Sequence, residues 1–201
     1  PLKLILILKI NYTTKFIFLV KLKKFSPEKF QFKMNNIKLR ALEPEDIDVL
    51  FSIENDAELW KYSNRNEPYS KYTLKRYIEI QNQDISESKQ KKFVLSNNNK
   101  IIFGFIDLFD FESFHRRAGI GLVILSGYRN QGFGSKGLQL IENHSKLYYN
   151  MHLLYANVAY ENKESNYLFK KMKYNLVGVK HKWNYYDNSF HDECLYQKIL
   201  D

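Results

Sequence analysis

GYRNQGFGSKG, Gly127 to Gly137, holds four of the chain's eight glycines. Before it, AGIGLVIL (Ala118 to Leu125) is short, apolar and rich in Ile, Leu and Val, the pattern of a buried strand. After it, Leu138, Ile141, Ser145 and Tyr148 or Tyr149 recur at helical spacing. The glycines therefore occupy a strand-to-helix turn. The first amides of a helix have no partner within it and carry partial positive charge. A turn without Cβ atoms lets a phosphate approach those amides closely. A plain tight turn fits the same glycines, and the stretch alone does not choose between the two.

Its wider pattern narrows the choice. A Walker loop needs a glycine at an earlier offset before Lys136, and there is none. Gly132, Gly134 and Gly137 satisfy G-x-G-x-x-G, but the following strand, LLYANVAY (Leu153 to Tyr160), lacks the acid that a dinucleotide site requires, and no βαβ rhythm precedes Ala118. Arg129-Asn130-Gln131-Gly132-Phe133-Gly134 has the form [RQ]-x-x-G-x-[GA] and resembles the coenzyme A loop of the GNAT superfamily of N-acetyltransferases. ENKESNYLFKKMKYNLVG (Glu161 to Gly178) resembles that family's second hallmark through Asn162, Ser165, Leu168, Phe169, Lys171 and Tyr174, with Lys173 where the family usually has glycine. NIKLRALEPEDIDVLFSIEND (Asn36 to Asp56) is similar to the family's first strand and helix. His115-Arg116-Arg117-Ala118 and its surroundings are most like bacterial spermidine acetyltransferases. The resemblance spans Asn36 to Lys198.

The implied fold is α/β, a mixed, mostly antiparallel central sheet flanked by helices. Asn36 to Ala41 alternates as a strand, and Pro44 with Glu45 and Asp46 suits a helix start. Ser70 caps an expected second helix running to about Asp84. KFVLSNNNKIIFGFIDLF reads as a hairpin turning at Asn97 to Asn99, and a second hairpin is expected to turn at Asp187-Asn188.

Charge is uneven. The formal charge is +9, yet residues 1 to 33 carry eight lysines against one glutamate, a net of +7, which leaves about +2 for the rest. The near-balanced domain calls for no nucleic-acid partner. In the first segment Lys9 and Lys15 interrupt any run of the ~20 apolar residues needed to span a membrane. We read residues 1–33 as upstream sequence translated ahead of a start at Met34, with a strand or an amphipathic surface segment as the alternatives, and residues 34–201 as one acetyltransferase domain. The single cysteine, Cys194, excludes a disulfide framework within the chain, and the five histidines show no metal-ligand spacing. No membrane association is expected, and low cysteine content with no evident secretory signal points to the cytoplasm.

The resemblance implies acetyl-CoA as cofactor and direct transfer to an amine. It assigns the cofactor to Leu125, Arg129, Asn130, Gln131, Gly132, Phe133, Gly134, Ser135, Asn162, Ser165 and Phe169. It assigns carbonyl polarisation to the backbone of Leu122, Val123 and Ile124. Asn162 equally suits a helix N-cap. Many relatives carry a tyrosine, which protonates the leaving sulfur, where this chain has Phe169, and Tyr167 lies on nearly the opposite helix face. Carboxylates suit a cationic acceptor, so Glu54, Asp56, Glu58, Asp107, Asp110 and Glu112 are the expected substrate-binding set, with Trp60, Tyr62 and Tyr69 as neighbouring walls. The expected acceptor is a polyamine or another small amine. A protein N-terminus, and a non-catalytic acyl-CoA-binding role, are the other readings. The oligomeric state stays open, a homo-oligomer included.

Overall fold

The computed structural model describes residues 36–63 and 66–200. The reading of residues 1–33 therefore lies outside the described residues. In chain order the elements are β1 (Lys38–Ala41), a 3-10 turn (Pro44–Asp46), α1 (Ile47–Glu54), α2 (Ala57–Trp60), α3 (Lys71–Ile80), α4 (Ile85–Ser88), β2 (Lys91–Ser96), β3 (Ile102–Glu112) and β4 (Arg117–Ile124). There follow a second 3-10 turn (Ser126–Tyr128), α5 (Phe133–Tyr149), β5 (Leu153–Ala159), α6 (Lys163–Lys171), β6 (Asn175–Tyr186) and β7 (Ser189–Ile199). The seven strands form one sheet in the order β1-β2-β3-β4-β5-β7-β6. Every neighbouring pair is antiparallel except β4 and β5. This is the mixed, mostly antiparallel sheet expected.

Local chemistry explains where the elements begin and end. Glu43 and Asp46 form a reciprocal capping box around Pro44, and Arg40 grips both oxygens of Asp46 at 2.6 and 2.7 Å, tying β1 to the start of α1. Ser70 caps α3 through the Thr73 amide, as expected. That helix stops at Ile80, however, short of Asp84. The Gln81 side chain accepts the Lys92 amide at 2.7 Å and its carbonyl accepts the Lys91 ammonium, so the chain turns there to meet β2. Asp84 instead caps the separate helix α4. The second hairpin turns at Asp187 and Asn188, both left-handed (φ 49° and 57°), the backbone of a type I′ turn.

Two layers of helix cover the sheet. Leu50 of α1 and Leu74 and Ile78 of α3 bury against Val94 and Phe105 on one face. Phe133, Leu138 and Ile141 of α5 and Phe169 of α6 bury against Phe93, Leu95, Phe103 and Ile106 on the other. Phe103 and Phe105 reach opposite faces because the β2–β3 register shifts between Leu95 and Ser96, which adds one residue to β3 there. At the end of α5 it is Tyr149 that packs on the core, while Tyr148 is exposed. Among the described residues, no helix is long and apolar enough to cross a membrane.

The Arg40–Asp46 pair has a pH signature. Burial opposes the Asp46 charge, but hydrogen bonds from Arg40 and the Glu43 amide outweigh it and hold the carboxyl below its ordinary range. A depressed folded-state value stabilises the fold above the unfolded carboxylate range and loses that contribution as pH falls. Asp46→Asn should therefore cost ~1–3 kcal/mol near neutral pH, and the gap from wild type should close as acid is added. Thermal melts from pH 7 to pH 3 give both numbers.

Candidate active site

β4 and β5 pair only from Arg117–Leu153 to Gly119–Tyr155. Beyond that they part. β4 stays bound to β3 as far as Ile124, and β5 stays bound to β7 along its whole length. The half-buried stretch Leu122 to Ile124 therefore faces a notch on its β5 side.

The glycine-rich turn closes one end of this notch. Arg129 folds back, its Nε donating to the Ile124 carbonyl at 3.0 Å, and the Gln131 amide donates to the Gly127 carbonyl at 2.9 Å. Asn130 (φ 58°) and Gly132 (φ 80°) are both left-handed. Gly132 is the N-cap of the 17-residue helix α5, no side chain caps that end, and its first turn holds no acid. These are the electrostatics of an anion site. The individual contributions differ from the expectation. The Phe133 side chain is fully buried, stacked on Phe103 at 4.3 Å, so only its backbone can serve the turn. At Gly134 an added Cβ would lie 3.0 Å from a Leu168 methyl, so that glycine admits α6 against α5. Ser135 is half-buried in the first turn of α5, and Leu125 bonds its amide to the Phe103 carbonyl at 2.9 Å.

The second hallmark lies across the notch. Asn162 caps α6, accepting the Ser165 amide at 3.0 Å. Asn166, which the motif reading passed over, donates to the carbonyls of Ala159 and Asn162 at 3.0 and 2.8 Å and accepts the Tyr196 hydroxyl at 2.8 Å. That network fixes the β5–α6 turn. Phe169 departs from expectation. Its ring is 5% exposed and packs against Tyr174 and Tyr196, because the inward face of α6 belongs to the core. Tyr167 is exposed on the other face.

The six expected carboxylates separate into groups. Glu54 and Asp107 meet at Lys92, whose ammonium lies 3.2 and 2.7 Å from them. Burial opposes the Lys92 charge, yet Asp107 and Glu54 outweigh it and raise its pKa well above the ordinary lysine value. Burial likewise raises Asp107 above its ordinary range, against the pull of Lys92. These two acids are thus largely neutralised from inside. The Glu54 carbonyl also accepts the Trp60 indole N–H at 3.0 Å, so the cluster sets the position of that ring. Asp56 caps α2 through the Glu58 amide at 3.1 Å. Asp110 accepts the Tyr155 hydroxyl, and Glu112 pairs with Arg117. Both of these acids lie at the end of β3, opposite the start of β4. Neither is among the residues that line the cavity reached by Glu58.

Glu58 does reach a cavity, of about 530 Å³. Trp60 and Tyr62 line it from the same segment. Asn157 lines it from β5 beyond the last pairing with β4, and Tyr186 and Glu193 line it from the second hairpin. An acid-and-aromatic wall of this kind suits a cation on an apolar chain. The sequence reading placed Trp60 and Tyr62 beside the acids but missed the hairpin's share, since nothing in the chain order brings residue 186 to residue 60.

A family model described as acetyltransferase (GNAT) domain matches residues 36–175. Spermidine N(1)-acetyltransferase of Escherichia coli (strain K12) is 24% identical over 144 residues, 72% of this chain and 75% of that protein. The Vibrio cholerae spermidine N(1)-acetyltransferase is 25% identical over 137 residues, 68% and 78% of the two chains. The crystal structure of spermidine N-acetyltransferase from Vibrio cholerae in complex with CoA and spermine superposes with a TM-score of 0.76 at 20% identity, covering 83% of this chain and 96% of that one. A dodecameric structure of the Vibrio cholerae enzyme superposes at 0.68 with 22% identity, covering 83% and 95%. At these identities the superpositions show a shared fold.

Lys92→Met would take the internal ammonium away from the half-buried Asp107 and Glu54. The expected cost is ~3–5 kcal/mol at pH 7. Burial already raises Asp107, and without the ammonium nothing from Lys92 would oppose that, so the folded state would bind more protons and the loss would shrink as pH falls. Melting curves at pH 7 and pH 5 should show the larger deficit at pH 7.

Proposed function

The chain belongs to the GNAT acetyltransferase family, and from that premise we propose that it transfers the acetyl group of acetyl-CoA directly to a primary amine of a polyamine or a similar small amine. The observation that carries the reading is the junction of two surfaces at the parted ends of β4 and β5. One is an uncapped, acid-free helix start with a left-handed N-cap. The other is the cavity walled by Glu58, Trp60, Tyr62 and Tyr186. The first suits a pyrophosphate and the second suits an alkyl ammonium. The names of the relatives support the same pairing of substrates.

In this reading the amides of Phe133, Gly134 and Ser135, together with Arg129, hold the phosphates. The β4 edge at Leu122 to Leu125 holds the extended arm by backbone pairing. A β4 amide facing the thioester oxygen would stabilise developing charge by ~3 kcal/mol. Acetyl-CoA supplies the activated acyl group. The nitrogen lone pair must reach the carbonyl carbon, so the acceptor ammonium first loses a proton, and Glu58 and Asp187 are the cavity carboxylates able to take it, since Glu193 is already paired with Lys180. The C–S bond then breaks and the thiolate takes up a proton. Phe169 has none to give. Tyr186 is a poor donor, because burial and the adjacent Glu161 push its pKa up to about 12. Water therefore protonates the thiolate. A homo-oligomer, as the Vibrio cholerae relative forms, belongs to the same reading.

A thiol-release assay with acetyl-CoA over polyamines, amino sugars and short peptides tests the acceptor. Spermidine or spermine should give the highest kcat/KM. Turnover confined to peptides would overturn the small-amine reading.

Gly132→Val tests the phosphate site. Its φ of 80° is one that a β-branched residue resists, so the turn should distort. Calorimetry should show coenzyme A binding at least tenfold weaker, about 1.4 kcal/mol, with adenosine unaffected. A folded variant, checked by circular dichroism, that binds coenzyme A like wild type would reduce the stretch to an ordinary turn.

A further inference from the structure

The tip of the β6–β7 hairpin is held by a cluster that the mechanism above does not use. His191 stacks flat on the Tyr186 ring, with centroids 3.8 Å apart and planes 4° apart. Its Nδ1 lies 2.9 Å from Glu161 Oε1. Its Nε2 lies 2.7 Å from the Ser189 hydroxyl and 3.2 Å from the Tyr186 carbonyl. The second oxygen of Glu161 accepts the Tyr186 hydroxyl at 3.0 Å. One carboxylate thus holds both stacked rings.

Placement gives the cluster its consequence. Glu161 immediately precedes Asn162, the cap of α6, on the side of the notch assigned to the cofactor. Tyr186 lines the acceptor cavity at the other end of the bridge. β6 is the outer strand of the sheet and pairs only with β7, so its ladder anchors the tip from one side. Glu161 provides the tie from the body of the domain. Burial opposes its charge, but the hydrogen bonds from His191 and Tyr186 outweigh that and hold it below the ordinary carboxyl range, so the tie is charge-assisted at neutral pH.

We propose that Glu161 and His191 are a positioning pair that sets acceptor affinity by fixing the Tyr186 ring as one wall of the acceptor cavity. The pair touches no reacting atom. It rests on the acetyltransferase reading of this cavity, and it adds a link between that wall and the turn that begins α6. Fixing the ring before the amine arrives lowers the ordering cost of binding. The effect should appear in the acceptor's KM and leave kcat and acetyl-CoA unmoved.

The test uses the full chain with His191→Phe, which keeps a stackable ring but no ring nitrogen, Glu161→Gln, which keeps the shape but not the charge, the double variant, and His191→Gln as the conservative replacement. Both single variants should raise the KM for spermidine by roughly five- to twentyfold, with kcat within about twofold and the acetyl-CoA KM unchanged. The double variant should be no worse than either single one, because both break one bridge. His191→Gln, which keeps a donor for Glu161, should recover part of the affinity. Hydrogen exchange across residues 186–191 should quicken in His191→Phe and Glu161→Gln and stay slow in wild type. Exchange at the tip that is unchanged in both variants overturns the proposal, as does a loosened tip with an unchanged spermidine KM. If the wild type acetylates no amine, the functional reading fails first. Calorimetry with spermidine then decides the pair separately, because equal binding, or none, in wild type and variants overturns it.

Discussion

The limited pairing of β4 with β5 is the constraint on which the rest of the molecule depends. Backbone N–H and C=O groups need partners, and a parallel pair running the full length of both strands would satisfy them within the sheet. Here the ladder stops at Gly119–Tyr155. Each strand remains anchored on its far side, β4 to β3 and β5 to β7. The sheet therefore divides into two rigid halves that diverge without unravelling. The start of α5 and the cap of α6 lie at this gap, and Asn157 and Ala159 of β5 beyond it line the cavity. Leu168 of α6 seats against Gly134 at the start of α5.

Charge is distributed around that gap in an ordered way. The acids nearest the sheet, Glu54 and Asp107, are engaged by Lys92 and serve as internal scaffolding. A buried lysine of this kind contributes little net stability, since desolvation consumes much of the attraction, but removing it leaves Asp107 without its ammonium partner. The carboxylates left for a ligand lie farther out, on α2 and on the second hairpin. The helix start on the phosphate side carries no acid in its first turn.

Phe169 shows a packing role at a position where the family motif often carries a tyrosine. Its ring packs between Tyr174 and Tyr196 and keeps the inward face of α6 tightly sealed. A tyrosine there would carry the same ring and add one hydroxyl. The packing of α6 therefore does not depend on that hydroxyl.

Much of the fold was legible in the sequence because local chemistry governs it. The strand before Gly127, the helix after it, the caps at Ser70 and Asn162 and the turn at Asp187-Asn188 are short-range events, each determined by a few neighbouring side chains. Family membership was legible for the same reason, since its motifs are backbone requirements of a turn and a helix start. Grouping the acids was beyond the sequence. Asp110 and Glu112 lie close to Asp107 in the chain, but β3 is extended and bulged between Phe109 and Glu112, and they meet Tyr155 and Arg117 where Asp107 meets Lys92. Lys92 was invisible as their neutraliser because the cross-strand register of β2 and β3 brings it to Asp107. The hairpin's contribution, Tyr186 and Glu193 facing Trp60 across more than a hundred residues, was invisible for a related reason. Sequence determined which turns and caps could form and hence which fold; the tertiary structure alone decided which carboxylates were spent on internal lysines and which faced the cavity, because strand order and register set those distances.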